Sequence, residues 1–236
     1  MIKFENFEVM GWKHAIRGMR NPMNSWGKSD SYCECHEYDK LSDGDHKTYL
    51  IDTYALGYND FNLMMRLAKG GPVHAKYRRM ITVYVDITAP LYWWKEFDTY
   101  KVGTVANSCS TMHKIADKEF TMEDFSCEHL IDEKDGWVRD KNGQFWCSSR
   151  THMETTINLL NAYRYQYLET KDKKYWWQMI QLLPSSYNQK RTVMMSYEVL
   201  ANIIRWRKNH KLDEWKEFCN WIESLPYSEI ITGETV

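Results

Sequence analysis

Hydrophobic residues follow two periods along this 236-residue chain, one typical of strands and the other of helices. Near the N-terminus a loose alternation predicts a strand over residues 1–9, with the apolar members Ile2, Phe4, Phe7 and Val9. A short helix, Trp12–Met19, is expected next. Asn-Pro, Asn-Ser and Gly residues then indicate a loop over Arg20–Tyr32, and the charged residues 33–47 are expected to be solvated.

The central part of the chain predicts a helix followed by a strand. Asn59 or Asp60 is expected to cap the helix, and Gly70-Gly71 to end it. Its apolar residues are Phe61, Leu63, Met64, Met65 and Leu67. Residues 78–87 predict a strand with two partly buried faces, one carrying Ile81, Val83 and Val85 and the other Met80, Thr82 and Tyr84.

An aromatic helix and a polar stretch come after that strand. Pro90 is expected at the start of the helix, whose apolar face carries Trp93, Trp94 and Phe97. Small hydrogen-bonding side chains follow it: Thr104, Asn107, Ser108, Ser110 and Thr111. Few charged residues interrupt this stretch, so it is unlike an ordinary solvated loop.

The C-terminal half is predicted to be mostly helical. Asn142-Gly143 lies between aromatic residues, which is the strongest short signal for a β-hairpin. Beyond about Thr151, apolar spacings of three and four predict helices throughout, with a break at Pro184. The pattern therefore favours an α+β fold in a single domain over residues 1–236, with a small mixed or antiparallel sheet packed against helices and a helix-rich C-terminal half.

Composition limits the environments in which we expect the protein. The net charge is −1, so no global field favours nucleic acid or a membrane surface, and neither is expected as a partner. No apolar run approaches the roughly 18 residues that span a bilayer, and the N-terminus lacks the uninterrupted apolar segment of a signal peptide. A cytoplasmic chain with reduced thiols is the expectation.

Motifs of general catalytic use are absent from the sequence. It has no phosphate-binding Gly-x-x-x-x-Gly-Lys, no Gly-x-Gly-x-x-Gly, no His-Glu-x-x-His and no Gly-x-Ser-x-Gly. Its six cysteines are scattered, and the one cluster is Cys33-Glu34-Cys35-His36. A metal site would need further ligands at a matching spacing. We therefore interpret this cluster as a polar loop, with a metal site as the alternative and no metal expected.

The order of features resembles that of the flavin-dependent thymidylate synthases, also called thymidylate synthase complementing proteins. The resemblance covers roughly Asp60 to Ile222 and is carried by four landmarks: Lys69-Gly70-Gly71 at a helix end, the strand Met80–Ile87, the segment Ala89-Pro90-Leu91-Tyr92, and Leu183-Pro184 before a helix ending at Arg207. The fold that this resemblance implies is that of the thymidylate synthase complementing proteins.

The register of the resemblance assigns family motifs to positions of this chain. The family's Arg-His-Arg falls on Thr99-Tyr100-Lys101, and the serine of the same signature falls on Ser110. Counting from Leu183-Pro184, the uracil-side arginine falls on Arg207 and a helix asparagine on Asn202. Three further family positions carry other residues here: Ser196 and Glu198 at the flavin-side Asn and Arg, and Ile180 at a phosphate-binding Arg.

Roles for individual residues follow from this register. The resemblance implies catalytic and substrate-binding roles for Ser110 and Arg207, and cofactor-binding roles for Lys101, Tyr100 and Asn202. Basic residues could replace the missing cations at a substrate site: Lys190 and Arg191, one to two helical turns after Leu-Pro, and also Arg17, Arg20, Arg78 and Arg79. Ordinary structural roles stay open, with Ser110 as a helix cap, Arg207 as a C-terminal helix cation and Tyr100 as a core residue.

The resemblance implies a pyrimidine-nucleotide protein. Enzymes of the family transfer a one-carbon unit from methylene-tetrahydrofolate to dUMP with FAD and NADPH, and they assemble as tetramers. We expect a dUMP-like ligand, FAD as candidate cofactor, methyltransferase-type chemistry and a homotetramer. Two alternatives stay open because each lost charge-assisted bond costs about 1.5–3 kcal/mol: a catalytically inactive homologue that acts as a binding or regulatory protein, or an altered base-modifying enzyme.

Overall fold

A computed structural model describes residues 2–42, 45–135 and 137–233, and of residues 34–42, 45–53 and 135 it describes the backbone alone. Strands and helices are interspersed through the first half. They are β1 Lys3–Met10, α1 Trp12–Arg20, β2 Tyr32–Ser42, β3 Asp45–Ala55, α2 Tyr58–Lys69, β4 Thr82–Pro90, α3 Leu91–Phe97, β5 Thr104–Ser108 and α4 Thr111–Lys114. The α+β prediction is confirmed.

Helices predominate in the second half. The elements are β6 Val138–Arg139, β7 Phe145–Trp146, α5 Ser149–Thr170, α6 Lys173–Leu182, β8 Asn188–Ser196, α7 Tyr197–Arg207, α8 Asp213–Glu223 and α9 Glu229–Thr232. β6 and β7 pair antiparallel across the Asn142-Gly143 turn, as predicted, and Gly143 adopts φ +83°. Among the described residues, no helix is long and apolar enough to cross a bilayer.

A four-stranded sheet has the strand order β1-β4-β8-β5. The prediction that everything after Thr151 is helical is wrong at β8, because Val193 and Met195 are buried on alternate positions of an extended chain. Lys190 and Arg191 therefore lie on a strand and not one to two turns into a helix. β5 was also missed, since its residues are almost all exposed and carry no apolar alternation.

The segment interpreted as a polar loop forms a β-hairpin instead. β2 and β3 pair antiparallel, with Tyr32 opposite Ala55 and Ser42 opposite Asp45. The loop interpretation of the Cys33–His36 segment is thus wrong for its backbone, because its polar side chains gave no apolar alternation to mark a strand. The side chains of Cys35 and His36 lie outside the described residues.

The chain forms two compact units. The first comprises residues 1–6, 85–101 and 106–193, and the second comprises residues 7–84, 102–105 and 194–236. The strands of the four-stranded sheet contribute residues to both units. The single domain expected over residues 1–236 stays a prediction.

The first unit is built on aromatic packing. Trp93, Trp94 and Phe97 of α3 are buried, with the Trp93 and Phe97 rings stacked at a centroid distance of 5.0 Å. Trp94 Nε1 donates a 2.9 Å hydrogen bond to the carbonyl of Gln189, which ties α3 to β8. A second apolar cluster includes Phe120, Phe125, Met153, Ile157, Leu160 and Met179.

In the second unit, α7 packs against α8 and is bonded to the residue that precedes β4. Tyr197 N donates a 3.0 Å hydrogen bond to the carbonyl of Ile81, and the Tyr197 hydroxyl donates a 2.6 Å bond to the carbonyl of Pro226. Tyr197 and Trp215 are completely buried. Burial raises the pKa of Tyr197, so its hydroxyl stays a hydrogen-bond donor at neutral pH.

The start of α2 differs from the sequence prediction. Neither Asn59 nor Asp60 caps this helix through its side chain, and the N-cap is Gly57. The carboxylate of Asp30 accepts the Asn59 N–H at 2.8 Å and the Asp60 N–H at 3.1 Å, and so caps α2 from a preceding loop. A Cβ at Gly57 would lie 2.2 Å from Asp30 Cγ, so this close approach requires glycine.

The Asp60 side chain has a structural role instead. It is fully buried and accepts a 2.6 Å hydrogen bond from Nε of the buried Arg20. The hydroxyls of Ser29 and Ser31 each donate to its other oxygen at 2.7 Å. Burial alone would raise the pKa of Asp60, but the bonds from Ser29, Ser31 and Arg20 outweigh it and hold that pKa below its usual value.

Candidate functional site

The second unit contains a groove of about 770 Å³ along α7, which we call the α7 groove. Its polar lining includes Arg78, Glu198, Asn202, Arg205, Lys208 and Asn209. Val102, Ile204 and Ile231 contribute apolar surface. A cavity of this size lies within the usual range for small-molecule sites, about 300–1,000 Å³.

Helical periodicity explains why α7 presents these groups together. Glu198, Asn202 and Arg205 are spaced by four and three residues, so they share one face of the helix, and Asn209 lies in the turn directly after the helix ends. Leu200 and Ile203 are completely buried, and this anchors the helix to the core. The Ser196 hydroxyl caps α7 by accepting the Val199 N–H at 3.4 Å. The polar face of α7 is therefore held on a rigid element.

The charges of the α7 groove are only partly balanced. Arg78 Nη2 lies 3.5 Å from the carbonyl of Ile231, whereas its buried Nε has no hydrogen-bond partner among the described residues. Lys208 Nζ lies 3.1 Å from Glu223. Glu198 contributes a carboxylate to the lining, and this carboxylate lies 3.9 Å from Nη2 of Arg79. The groove thus offers two guanidinium groups to a small anion.

Arg207 lies elsewhere on α7. Its guanidinium carbon is 4.6 Å from the ring centroid of Trp215, and the side chain is half-buried. Arg205 and Arg207 point in different directions because two residues turn a helix by about 200°. Arg205, which sequence reasoning missed, is therefore the α7 arginine that lines the groove. The sequence carried a signal for Arg205, because it follows Asn202 by three residues and so lies on the same face of the helix.

The first unit brings Ser110 close to Lys190 and Arg191. Cys109 N donates a 2.9 Å hydrogen bond to the carbonyl of Lys190, which places the Ser110 segment beside β8. Ser110 is exposed, and its hydroxyl caps α4 by accepting the His113 N–H at 3.2 Å. This contact matches the ordinary structural role for a serine before a short helix.

Both basic residues of β8 have acidic partners. Lys190 Nζ lies 2.7 Å from Glu5, and the hydrogen bond between them raises the pKa of Lys190. Arg191 Nη1 lies 2.8 Å from Asp98, and its guanidinium carbon lies 4.2 Å from the ring centroid of Trp94. A ligand at this surface would compete with these carboxylates for the two cations.

The positions of the family's other guanidinium groups carry different chemistry here. The Thr99 hydroxyl donates to the carbonyl of Glu96 at 2.7 Å, Tyr100 is half-buried against Phe97, and Lys101 is exposed. Ile180 packs against the second apolar cluster of the first unit. These positions supply one exposed ammonium group and no guanidinium.

The predicted site residues are divided between the two units. Ser110, Lys190, Arg191, Tyr100 and Lys101 belong to the first unit, and Asn202 and Arg207 belong to the second. Of the basic residues considered as replacements for the missing cations, Arg78 lines the α7 groove, and Arg20 is bound to Asp60. Arg17 is exposed, with its guanidinium carbon 5.6 Å from the Trp26 ring. Among the described residues, no cluster of three or more His, Cys, Asp or Glu could hold a metal ion.

Solved structures show which fold this arrangement belongs to. Thymidylate synthase X from Helicobacter pylori, crystallised with FAD and dUMP, superposes with a TM-score of 0.62 at 14% identity, covering 99% of this chain and 98% of that chain. The chain therefore has the fold of a flavin-dependent thymidylate synthase. A UMP/dUMP methylase, PolB from Streptomyces cacaoi, bound with 5-Br dUMP, has the same fold, with a TM-score of 0.55, 12% identity and coverage of 98% and 94%.

Sequence comparison alone does not reach this thymidylate synthase fold. No family model and no curated protein matches the sequence. The fold implied by the Ala-Pro and Leu-Pro landmarks is nevertheless confirmed by the solved structures.

Proposed function

We propose that this protein binds a pyrimidine nucleoside monophosphate in the α7 groove. The observation that carries the proposal is the convergence of Arg78, Arg205 and Asn202 on one cavity. Guanidinium groups bind phosphate oxygens bidentately, and a phosphate monoester carries about −1.5 to −2 charges at pH 7. The Asn202 amide can both donate and accept, as the edge of a pyrimidine base requires.

The solved structures of the same fold support a pyrimidine ligand. The Helicobacter pylori enzyme was crystallised with dUMP, and the Streptomyces cacaoi methylase with 5-Br dUMP or 5-Br UMP. A fold does not establish a function, so the support for this chain comes from the side chains of its own groove. The substrate-binding roles predicted for Ser110, Lys190, Arg191 and Arg207, which do not line the α7 groove, remain proposals.

The residues present do not fit FAD in the manner that the resemblance implies. Thr99 and Ile180 occupy positions where guanidinium groups would bind phosphates, and Glu198 introduces a carboxylate at a third. A carboxylate disfavours a nearby phosphate by like-charge repulsion. Glu198 also lines the α7 groove, where the guanidinium groups of Arg78 and Arg205 offset it for a monophosphate but leave no surplus of cations for a pyrophosphate. We therefore propose no step through flavin. FAD binding through Lys101, Tyr100 and Asn202, one-carbon transfer and a homotetramer remain predictions.

The presence of Thr99, Ile180 and Glu198 at the family's guanidinium positions supports a second function, namely nucleotide binding without turnover. A protein that retains the fold and the α7 groove, but lacks the cations for a second phosphorylated ligand, can act as a binding or regulatory protein. The two functions share the nucleotide and differ in the requirement for flavin.

A thermal-shift panel tests the proposal. We expect dUMP or UMP at a hundredfold excess over Kd to stabilise the protein by about 2.7 kcal/mol, which raises Tm by about 5–10 °C. Purine monophosphates and inorganic phosphate serve as controls and should give smaller shifts. Absence of a shift with every pyrimidine nucleotide would contradict the proposal. Visible flavin absorbance of the purified protein, or a shift with FAD, would support the enzymatic function over the binding function.

A further inference from the structure

A second groove, of about 800 Å³, lies in the second unit along α2 and shares no lining residue with the α7 groove. We call it the α2 groove. Its hydrogen-bonding surface comes from Lys28, Tyr58, Asn59, Asn62, Arg66 and Lys69. None of these residues has a part in the nucleotide site proposed above.

The α2 side chains form one continuous stripe. Asn59, Asn62, Arg66 and Lys69 are spaced by three, four and three residues, so they lie along one face of the helix. At a rise of about 1.5 Å per residue, the stripe extends for about 15 Å. A surface of this length can contact several phosphates of an extended strand in succession.

The α2 groove is basic. Lys28, Arg66 and Lys69 are exposed, and the lining contains no aspartate or glutamate. Within the part of the chain that the structure describes, none of these three cations forms an ion pair. Arg20 also lines the groove, but the buried Asp60 neutralises it. Three cations are thus available to a polyanion.

The backbone that follows Lys28 is held against the start of α2 by a network of hydrogen bonds. Residues 29–31 follow Lys28 directly, and the Ser29 and Ser31 hydroxyls donate to the buried Asp60 carboxylate. The Asp30 carboxylate in turn accepts the Asn59 and Asp60 backbone N–H groups at the start of α2. This network holds both walls of the groove, which reduces the entropy lost on binding.

Tyr58 adds an aromatic surface at one end of the stripe. Its side chain is 79% exposed, which is unusual for so large an apolar ring. A positively charged groove with an accessible aromatic ring is the combination by which proteins bind single-stranded nucleic acid, because every base can stack on the ring.

We propose that the α2 groove binds single-stranded nucleic acid, with Lys28, Arg66 and Lys69 on phosphates and Tyr58 stacked on a base. The net charge of −1 means that the whole protein does not attract a polyanion, but a local basic patch such as the α2 groove still can.

Fluorescence anisotropy with labelled oligo(dT) and oligo(U) of about 12 nucleotides tests this site, since single-strand sites span roughly 4–16 nucleotides. At about 50 mM salt, Arg66→Ala with Lys69→Ala should weaken binding at least fivefold. The salt slope should fall by about 1.4, or roughly 0.7 for each lost phosphate contact. Tyr58→Ala should weaken binding by about five- to tenfold with an unchanged slope, and Tyr58→Phe should retain it.

The matched control removes the same two charges elsewhere. Arg139→Ala with Lys141→Ala alters exposed residues of the β6–β7 hairpin in the first unit and should leave binding unchanged. Lys28→Ala provides a second test of the groove if the α2 double variant does not fold. Saturating dUMP should not displace the oligonucleotide, which separates this site from the α7 groove. No binding at about 100 µM protein, equal losses in both double variants, or displacement by dUMP would overturn the proposal.

Discussion

Replacing Asp60 with Asn is expected to lower the free energy of unfolding by about 3–5 kcal/mol, the cost of removing one partner of a buried ion pair. Arg20 and Asp60 are both buried, and Nε of Arg20 lies 2.6 Å from the carboxylate. An amide in its place would leave the guanidinium without a counter-charge. It would also accept less well from Ser29, Ser31 and the backbone N–H groups of Asp30 and Ser31.

Urea unfolding followed by tryptophan fluorescence measures this cost. Asp117→Asn is the matched control, because Asp117 forms an exposed pair with Lys114 at 2.8 Å, with 72% and 56% of the side chains accessible. Such a pair contributes about 0–1 kcal/mol. Equal losses in the two variants would contradict the structural role that we assign to Asp60.

The pH dependence of stability should report the same group. The hydrogen bonds to Asp60 lower its pKa in the folded state. A lowered carboxyl pKa contributes stability that is complete above the unfolded value, about 3.9, and is lost as pH falls through the folded pKa. The wild type should therefore lose stability below about pH 4, and Asp60→Asn should show less of this loss.

Replacing Arg205 with Ala is expected to weaken dUMP binding at least tenfold. A hydrogen bond to a charged group is worth about 1.5–3 kcal/mol, and 1.4 kcal/mol corresponds to a factor of ten. Isothermal titration calorimetry measures the difference. Arg17→Ala is the matched control, since Arg17 is an exposed helical arginine of the same unit that lines neither groove.

Arg207→Ala in the same series separates the two α7 arginines. This change removes a contact with the buried Trp215, so it is expected to lower stability more than dUMP affinity. A loss of affinity in Arg207→Ala with none in Arg205→Ala would instead support the uracil-side role that the family resemblance implies.

Local sequence patterns predicted several elements and failed where distant partners decide the structure. β1, α1 and the Asn142-Gly143 hairpin are encoded by short-range signals, and the structure contains them. β8 was predicted as helix because the spacing of Met194, Tyr197 and Leu200 continues into α7. The alternate burial of Val193 and Met195 depends on neighbouring strands, which no local window contains. The Asp30 cap of α2 was missed for the same reason, since it comes from 29 residues away.

The candidate site was predictable in outline only. The Leu-Pro landmark placed Asn202 on the helix that lines the α7 groove. Choosing between Arg205 and Arg207 required the rotation of α7 about its axis, which the burial of Leu200 and Ile203 sets. Arg78 enters the groove from a different part of the chain, so its contribution depended on tertiary structure.

The anomalous signal of bromine in a brominated pyrimidine nucleotide reports directly where that nucleotide binds. Crystals grown with 5-bromo-dUMP should show one strong anomalous peak in the α7 groove, close to Asn202 and Arg205. A peak outside that groove, or none from crystals at saturating ligand, would contradict the account.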